Sequence, residues 1–120
     1  MEEASAYARF RPFFAEAIDP RFHTIDHLDA LLATGRAFLW HDDEAAIVAE
    51  LRTYPTGATV LHGLIAAGPL DRIRPLIARA EAWARANGCI AAIIESRPGW
   101  ARALRGAGYR PHQLAIIKEL

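Results

Sequence analysis

The stretch from residue 58 to residue 95 constrains this chain more than any other part of it. ATVLHGLIAA (58–67) is apolar almost without interruption, and Gly68-Pro69 breaks it. A helical stripe follows over 71–87, built on Ile73, Leu76, Ile77, Ala80 and Ala84 and stopped by Gly88. A second apolar run, CIAAIIE (89–95), comes next. Strands apolar on both faces are covered on both faces. Two of them joined by one amphipathic helix predict a right-handed parallel crossover.

The flanking segments extend this unit. Upstream, RAFLWHD (36–42) and 45–54 read as strands joined by the Asp42-Asp43-Glu44 turn, and Pro55-Thr56-Gly57 turns into 58–67. Before them, Tyr7, Phe10, Phe13, Phe14 and Ile18 mark a helix whose main part is expected to begin near Pro12. Thr24 can cap a second helix with Ile25, Leu28, Leu31 and Leu32 inward. Downstream, a short helix over about 99–106 leads to a last strand within 109–119, around Leu114-Ala115-Ile116-Ile117. The expected fold is α+β, a mixed, mostly antiparallel sheet flanked by helices, in one domain over residues 1–120.

Charge and composition exclude several classes. Apolar residues make up 52% and charged residues 23%, a globular balance. No apolar run approaches the ~18 residues of a membrane span, and the acidic start does not read as a signal peptide. The lone Cys89 suits a reducing compartment and a cytoplasmic protein. Residues 1–60 carry five arginines against ten acids; residues 61–120 carry eight arginines and Lys118 against four acids. Either the halves pair with each other or the second offers a basic face to an anion. A neutral total without interleaved aromatics argues against nucleic acid.

Other constellations are weaker. His23 and His27, beside Asp26 and Asp29, lack a third ligand at metal spacing and read as surface or capping residues. No nucleophile–base spacing is present among Ser5 and Ser96. Phe10, Phe13, Phe14 and Phe22 read as core, and if exposed would mark a protein interface. Trp40, Trp83 and Trp100 carry the same core reading.

LIARAEAWARANGCIAAIIES followed by RPGWARALRGAGY, residues 76–109, resembles the GNAT N-acyltransferase superfamily: its central helix, the strand after it, and a helix ending in a Gly-aromatic pair, here Gly108-Tyr109. The resemblance implies transfer of an acyl group from acetyl-CoA or another acyl-CoA to an amine of a small molecule or protein. It places cofactor contacts at Ile65 and Ala66 and a diphosphate loop at 68–73, GPLDRI. There Gly68 stands where the family has a basic residue, and Asp71 and Ile73 where it has small ones. Asp71 reads as the helix N-cap. Arg72 and Arg74 could meet phosphates or be exposed helix charges. Leu104 replaces the family's tyrosine, and leucine cannot protonate a leaving thiolate. Arg97 stands where the family has an asparagine, and Tyr109 reads as a packing residue. His62, the titratable side chain of 58–67, is either the base that takes the amine proton or a hydrogen-bonded core residue. The Arg-Pro-Gly-Trp helix start also resembles small phage and prophage proteins. The alternative reading is therefore an inactive GNAT-fold binding or structural module, of a virion among other settings, acting with a protein partner or as a homodimer.

Overall fold

The structure, a computed structural model, describes every residue except Met1 and Arg97. The helices are α1 (Glu2–Ala17), α2 (Ile25–Ala33), α3 (Leu70–Ala86) and α4 (Pro98–Ala103), with a 3₁₀ turn at Arg105–Ala107. The strands are β1 (Phe38–His41), β2 (Ala46–Thr53), β3 (Thr59–Ala67) and β4 (Ala91–Ile94). They form one sheet in the order β1-β2-β3-β4, antiparallel except for the parallel pair β3–β4. The expected α+β architecture with a mixed sheet is the one observed.

Helices cover both faces. Ile73, Leu76, Ile77, Ala80 and Ala84 of α3 pack on Ile47, Ala49 and Leu61. On the other face Phe10 and Phe14 of α1, with Leu28 and Leu31 of α2, cover Ala46 and Val48. Each large apolar side chain so buried contributes roughly 1.5–3 kcal/mol. Thr24 caps α2 by accepting from the His27 N–H at 3.1 Å. Arg11 and Tyr7 both donate to Asp29, joining α1 to α2.

The pairing of β2 with β3 is irregular at one point. Val48 pairs with Ile65 and Ala49 with Gly63, so Leu64 is an extra residue in β3. This bulge turns Leu64 and Ile65 toward the same layer.

Four expectations are corrected. Pro12 lies inside α1 rather than near its start; the missing N–H forfeits one helical bond, and Phe10 and Phe14, buried on either side, hold the helix through it. Phe13 and Phe22 are exposed, not core: Phe10 and Phe14 lie one turn apart on the buried stripe and Phe13 off it, while Phe22 sits in the α1–α2 connection under Arg21. Asp71 is not the N-cap of α3; Pro69 holds that place and Asp71 lies in the first turn. Residues 109–120 form no strand, and Leu114 and Ile116 are 86% and 89% exposed. A four-residue apolar run becomes a strand only when it covers a face and pairs an edge. The run itself stays out in solvent, while near its end Glu119 forms an exposed ion pair with Arg21.

Among the described residues, no helix is long and apolar enough to cross a membrane, and no group of three metal-ligating side chains is assembled. A cation of the basic half meets acids of the acidic half at Arg72 with Asp42 and Asp43, whereas Arg52–Glu95 and Arg21–Glu119 join the halves with the opposite polarity.

Candidate functional site

β3 and β4 run together only from Val60 beside Ala91 to Gly63 beside Ile94. Beyond that pair β3 continues to Ala67, while the chain after Ile94 turns off through Glu95 and Ser96. The last pair is tight: a Cβ on Gly63 would lie 3.3 Å from Ile94 Cγ1. Where the strands part, a cavity of about 330 Å³ opens. Ile65 and Ala66 stand in its wall with Ile77 and Ala80 of α3, Trp100 of α4, and Tyr109. Ala17 of α1 also reaches it, so the opening passes from one face of the sheet to the other.

A polar cluster beside it is built from β2, β3 and the residue that follows β4, and Glu95 is its member in the cavity wall. His62 is 5% exposed on β3, and its Nε2 lies 2.8 Å from Glu95 Oε1. Glu95 lines the cavity; His62 does not. Hydrogen bonding to His62, together with the charges of His62 and Arg52, holds the Glu95 carboxyl below the usual carboxylate range against the opposing effect of burial. An ionised carboxylate only accepts, so His62 Nε2 donates to it. The other ring nitrogen, Nδ1, is buried without a hydrogen-bond partner, 3.7 Å from Glu50 Oε1. Arg52 bridges the two acids, 3.1 Å from Glu50 and 3.5 Å from Glu95.

A second hollow, also about 330 Å³, lies between the N-terminus of α3 and α4, lined by Gly68, Leu70, Ile73, Gly99, Trp100 and Ala103. Trp100 is a wall of both hollows, so the two adjoin at this side chain. Gly68 has φ +110°, and a Cβ there would come within 2.6 Å of the Glu44 carbonyl and 2.7 Å of Ala45 Cβ. Glycine is thus required for the β3–α3 turn to pack on the β1–β2 turn. The Ile73 side chain is 3% exposed and points into the core, so it leaves the loop's backbone uncovered. The charges are less suited to an anion. Asp71 is exposed in the first turn, favoured there by the helix dipole. Arg72 is held by Asp42 at 2.9 Å and by Asp43. Arg74 donates to the Ala103 carbonyl at 2.9 Å. Arg97 lies outside the described residues.

Leu104 is 2% exposed in the α3-side core, consistent with leucine's inability to serve as an acid. Tyr109 lines the cavity with its ring, and its hydroxyl donates to Glu81 of α3. Burial and that bond push the phenol well above its ordinary range, so it keeps its proton.

Glu95 and Trp100 stand at the candidate site and are positions that the sequence alone does not single out. Glu95 reads as the polar end of an apolar strand, and its partner His62 lies 33 residues away. Gly63 inside an apolar run is the one signal of the nearby bulge.

Helices on both faces of a mixed sheet, with the parallel pair splaying over a cleft, define the GNAT-like acyltransferase fold. Solved structures agree. An acetyltransferase from Trypanosoma brucei matches with TM-score 0.69 at 13% identity, over 99% of this chain and 94% of that one. A ribosomal-protein-alanine N-acetyltransferase from Brucella melitensis biovar Abortus matches with TM-score 0.68 at 14% identity, over 99% and 94%. A glucosamine-6-phosphate N-acetyltransferase from Arabidopsis thaliana matches with TM-score 0.58 at 10% identity, over 79% and 76%. No protein-family profile and no curated protein matches the sequence. At these identities the likeness is one of fold.

Proposed function

We propose that this chain transfers an acyl group from an acyl-CoA thioester to an amine held at the β3–β4 splay. The observation that carries the reading is the cavity at that splay with the Glu95–His62 pair beside it. The fit to acyl-CoA is good at one end of the site and poor at the other. The apolar walls around Trp100, with Ile65 and Ala66, suit the pantetheine arm and thioester. At the α3 end, Gly68 and the backbone of the first turn are uncovered, but Asp71 would face a diphosphate, and Arg72 must leave Asp42 and Asp43 to meet one. Among the described residues, Arg74 is a further cation at that helix start, and it donates to the Ala103 carbonyl.

Glu95 accepts the amine proton as the nitrogen attacks the thioester carbon. His62 orients Glu95 through Nε2 and stabilises its charge. The C–N bond forms, the C–S bond breaks, and the electron pair leaves on sulfur. No acid is essential for that departure, because an ordinary thiol ionises near pH ~8.5 and its thiolate is a competent leaving group.

Isothermal titration of the full chain with acetyl-CoA tests the donor. A Kd tighter than about 100 µM, roughly 5.5 kcal/mol, indicates a working cleft rather than a few remote contacts. Absence of heat up to millimolar acetyl-CoA, and with a longer-chain acyl-CoA as well, removes the enzyme reading. It would leave the second one, a non-catalytic binding module on the same scaffold, which the ion-paired Arg72 favours.

A further inference from the structure

The cavity at the splay is larger than an acetyl group requires, and most of its lining is apolar. An apolar cavity of ~150 Å³ stays dry and takes up a benzene molecule. The volume here, about 330 Å³, is roughly twice that, and the pantetheine arm and thioester along Ile65, Ala66 and Trp100 take up part of it. Protein interiors are otherwise close-packed, whereas this cleft, open on one side, runs in between α3 and the sheet. This hole exists because wall positions on both sides carry minimal side chains: Ala49, Gly63, Ala66 and Ala92 on the strands, and Ala80 opposite them on α3. The polar groups of the wall, Glu95 and Ser96, sit at the end where β4 stops. The one hydroxyl along the side, that of Tyr109, is turned away to Glu81. Away from Glu95 and Ser96 the side chains lining the cleft between α3 and the sheet offer mainly carbon, which suits an alkyl chain better than a polar acyl group.

We infer that the acyl group carried into this site is an unbranched alkyl chain on the order of eight carbons rather than acetyl, lying between α3 and the sheet with its carbonyl end at Glu95. The inference rests on the acyl-transfer reading of the same cleft. Each methylene transferred from water into such a wall strengthens binding about fourfold. The cavity is open on one side, so the gain per methylene is smaller in practice.

Titration of the full chain with acetyl-CoA, octanoyl-CoA and sodium octanoate separates the outcomes. Octanoyl-CoA is expected to bind at least about 30-fold tighter than acetyl-CoA. Ala80→Leu and Ala92→Leu each push a side chain into the hole from opposite walls. In whichever variant keeps its circular dichroism spectrum, the octanoyl advantage should shrink to about threefold or less. Equal affinity for the two esters, or an advantage that survives in a folded variant, overturns the alkyl pocket while leaving the acyl-CoA reading intact. Should neither ester bind but octanoate bind, and bind less in the variants, the pocket stands and the CoA reading falls. Failure of all three ligands overturns both.

Discussion

At the β3–β4 end of the site, the fold leaves strands parted and side chains small, and brings a buried histidine to a carboxylate. At the α3 end a hollow is also present, but its groups are committed to the fold: Gly68, though exposed, is required for the turn to pack against Glu44 and Ala45, and Arg72 is paired with two aspartates of the β1–β2 turn. Both ends share Trp100. The difference teaches that the two jobs of an acyl-CoA site, placing the thioester and holding the nucleotide, rest on separate structure. Strand divergence supplies the first. Uncommitted amides and cations at a helix start supply the second, and those can be lost while the first remains.

The largest effect expected from breaking this contrast is at Glu95. If the splay end performs the chemistry, Glu95→Gln lowers kcat/KM by about 10² or more, the usual loss for a general base. His62→Gln, which keeps a donor toward Glu95, should cost less. Because the Glu95 carboxyl is held below its ordinary range, wild-type activity should stay flat as pH falls from 7 toward the ordinary carboxylate range, apart from protonation of the acceptor amine. A rate measurement showing Glu95→Gln unimpaired would place the chemistry elsewhere.

Gly68→Ala comes next, and it acts on stability rather than on ligand. The positive φ and the approach to the Glu44 carbonyl predict a loss of about 2–3 kcal/mol. That would lower the urea midpoint by on the order of 1 M. An unchanged midpoint with weakened CoA binding would assign this glycine to the phosphates, and the contrast between the two ends would fail.

A smaller effect is expected at Asp71. Replacing it with Asn removes one negative charge from the helix start, worth about 1 kcal/mol at ~4 Å in water, so CoA should bind about fivefold tighter. The helix loses a favourable dipole contact of about 0.3–1 kcal/mol at the same time. Unchanged affinity would show that the diphosphate does not reach this turn.

What the sequence discloses divides along the same line. The β3–α3–β4 crossover is legible because apolar runs and a helical stripe are local patterns with glycines at their ends. The antiparallel meander is legible from its turns. The bulge at Leu64 is not, since adding one residue to an apolar run leaves it apolar. The Glu95–His62 pair depends on the register that sets Gly63 beside Ile94, and a single sequence carries no such long-range information. Arg72 illustrates the same limit: its charge is visible, but Asp42 and Asp43, which neutralise it, arrive from another turn. The exposed Leu114–Ile117 run has the composition of a strand, and composition cannot say whether an edge is there to receive it.

The smallest effect sharpens the contrast most, because it asks whether the α3 end is dismantled or merely latched. Asp42 accepts from the Glu44 and Ala45 N–H groups, each at 2.7 Å, and from Arg72. These bonds, the Glu44 amide foremost, hold its carboxyl below the ordinary range. A carboxyl depressed in the folded state takes up its proton first in the unfolded chain. Its contribution is therefore complete above the ordinary carboxylate pKa of ~3.9 and disappears as pH falls through the lower folded value. Urea midpoints of the wild type and of Asp42→Asn should differ at pH 6 and converge below pH ~4. The substitution retains an oxygen for the two backbone donors but no charge for Arg72. If the latch is what keeps Arg72 from an anion, Asp42→Asn should tighten CoA binding even as it weakens the fold at neutral pH. Loss of stability without any gain in affinity would mean that Arg72 has been given over to the scaffold, and that any donor is held from the splay end alone.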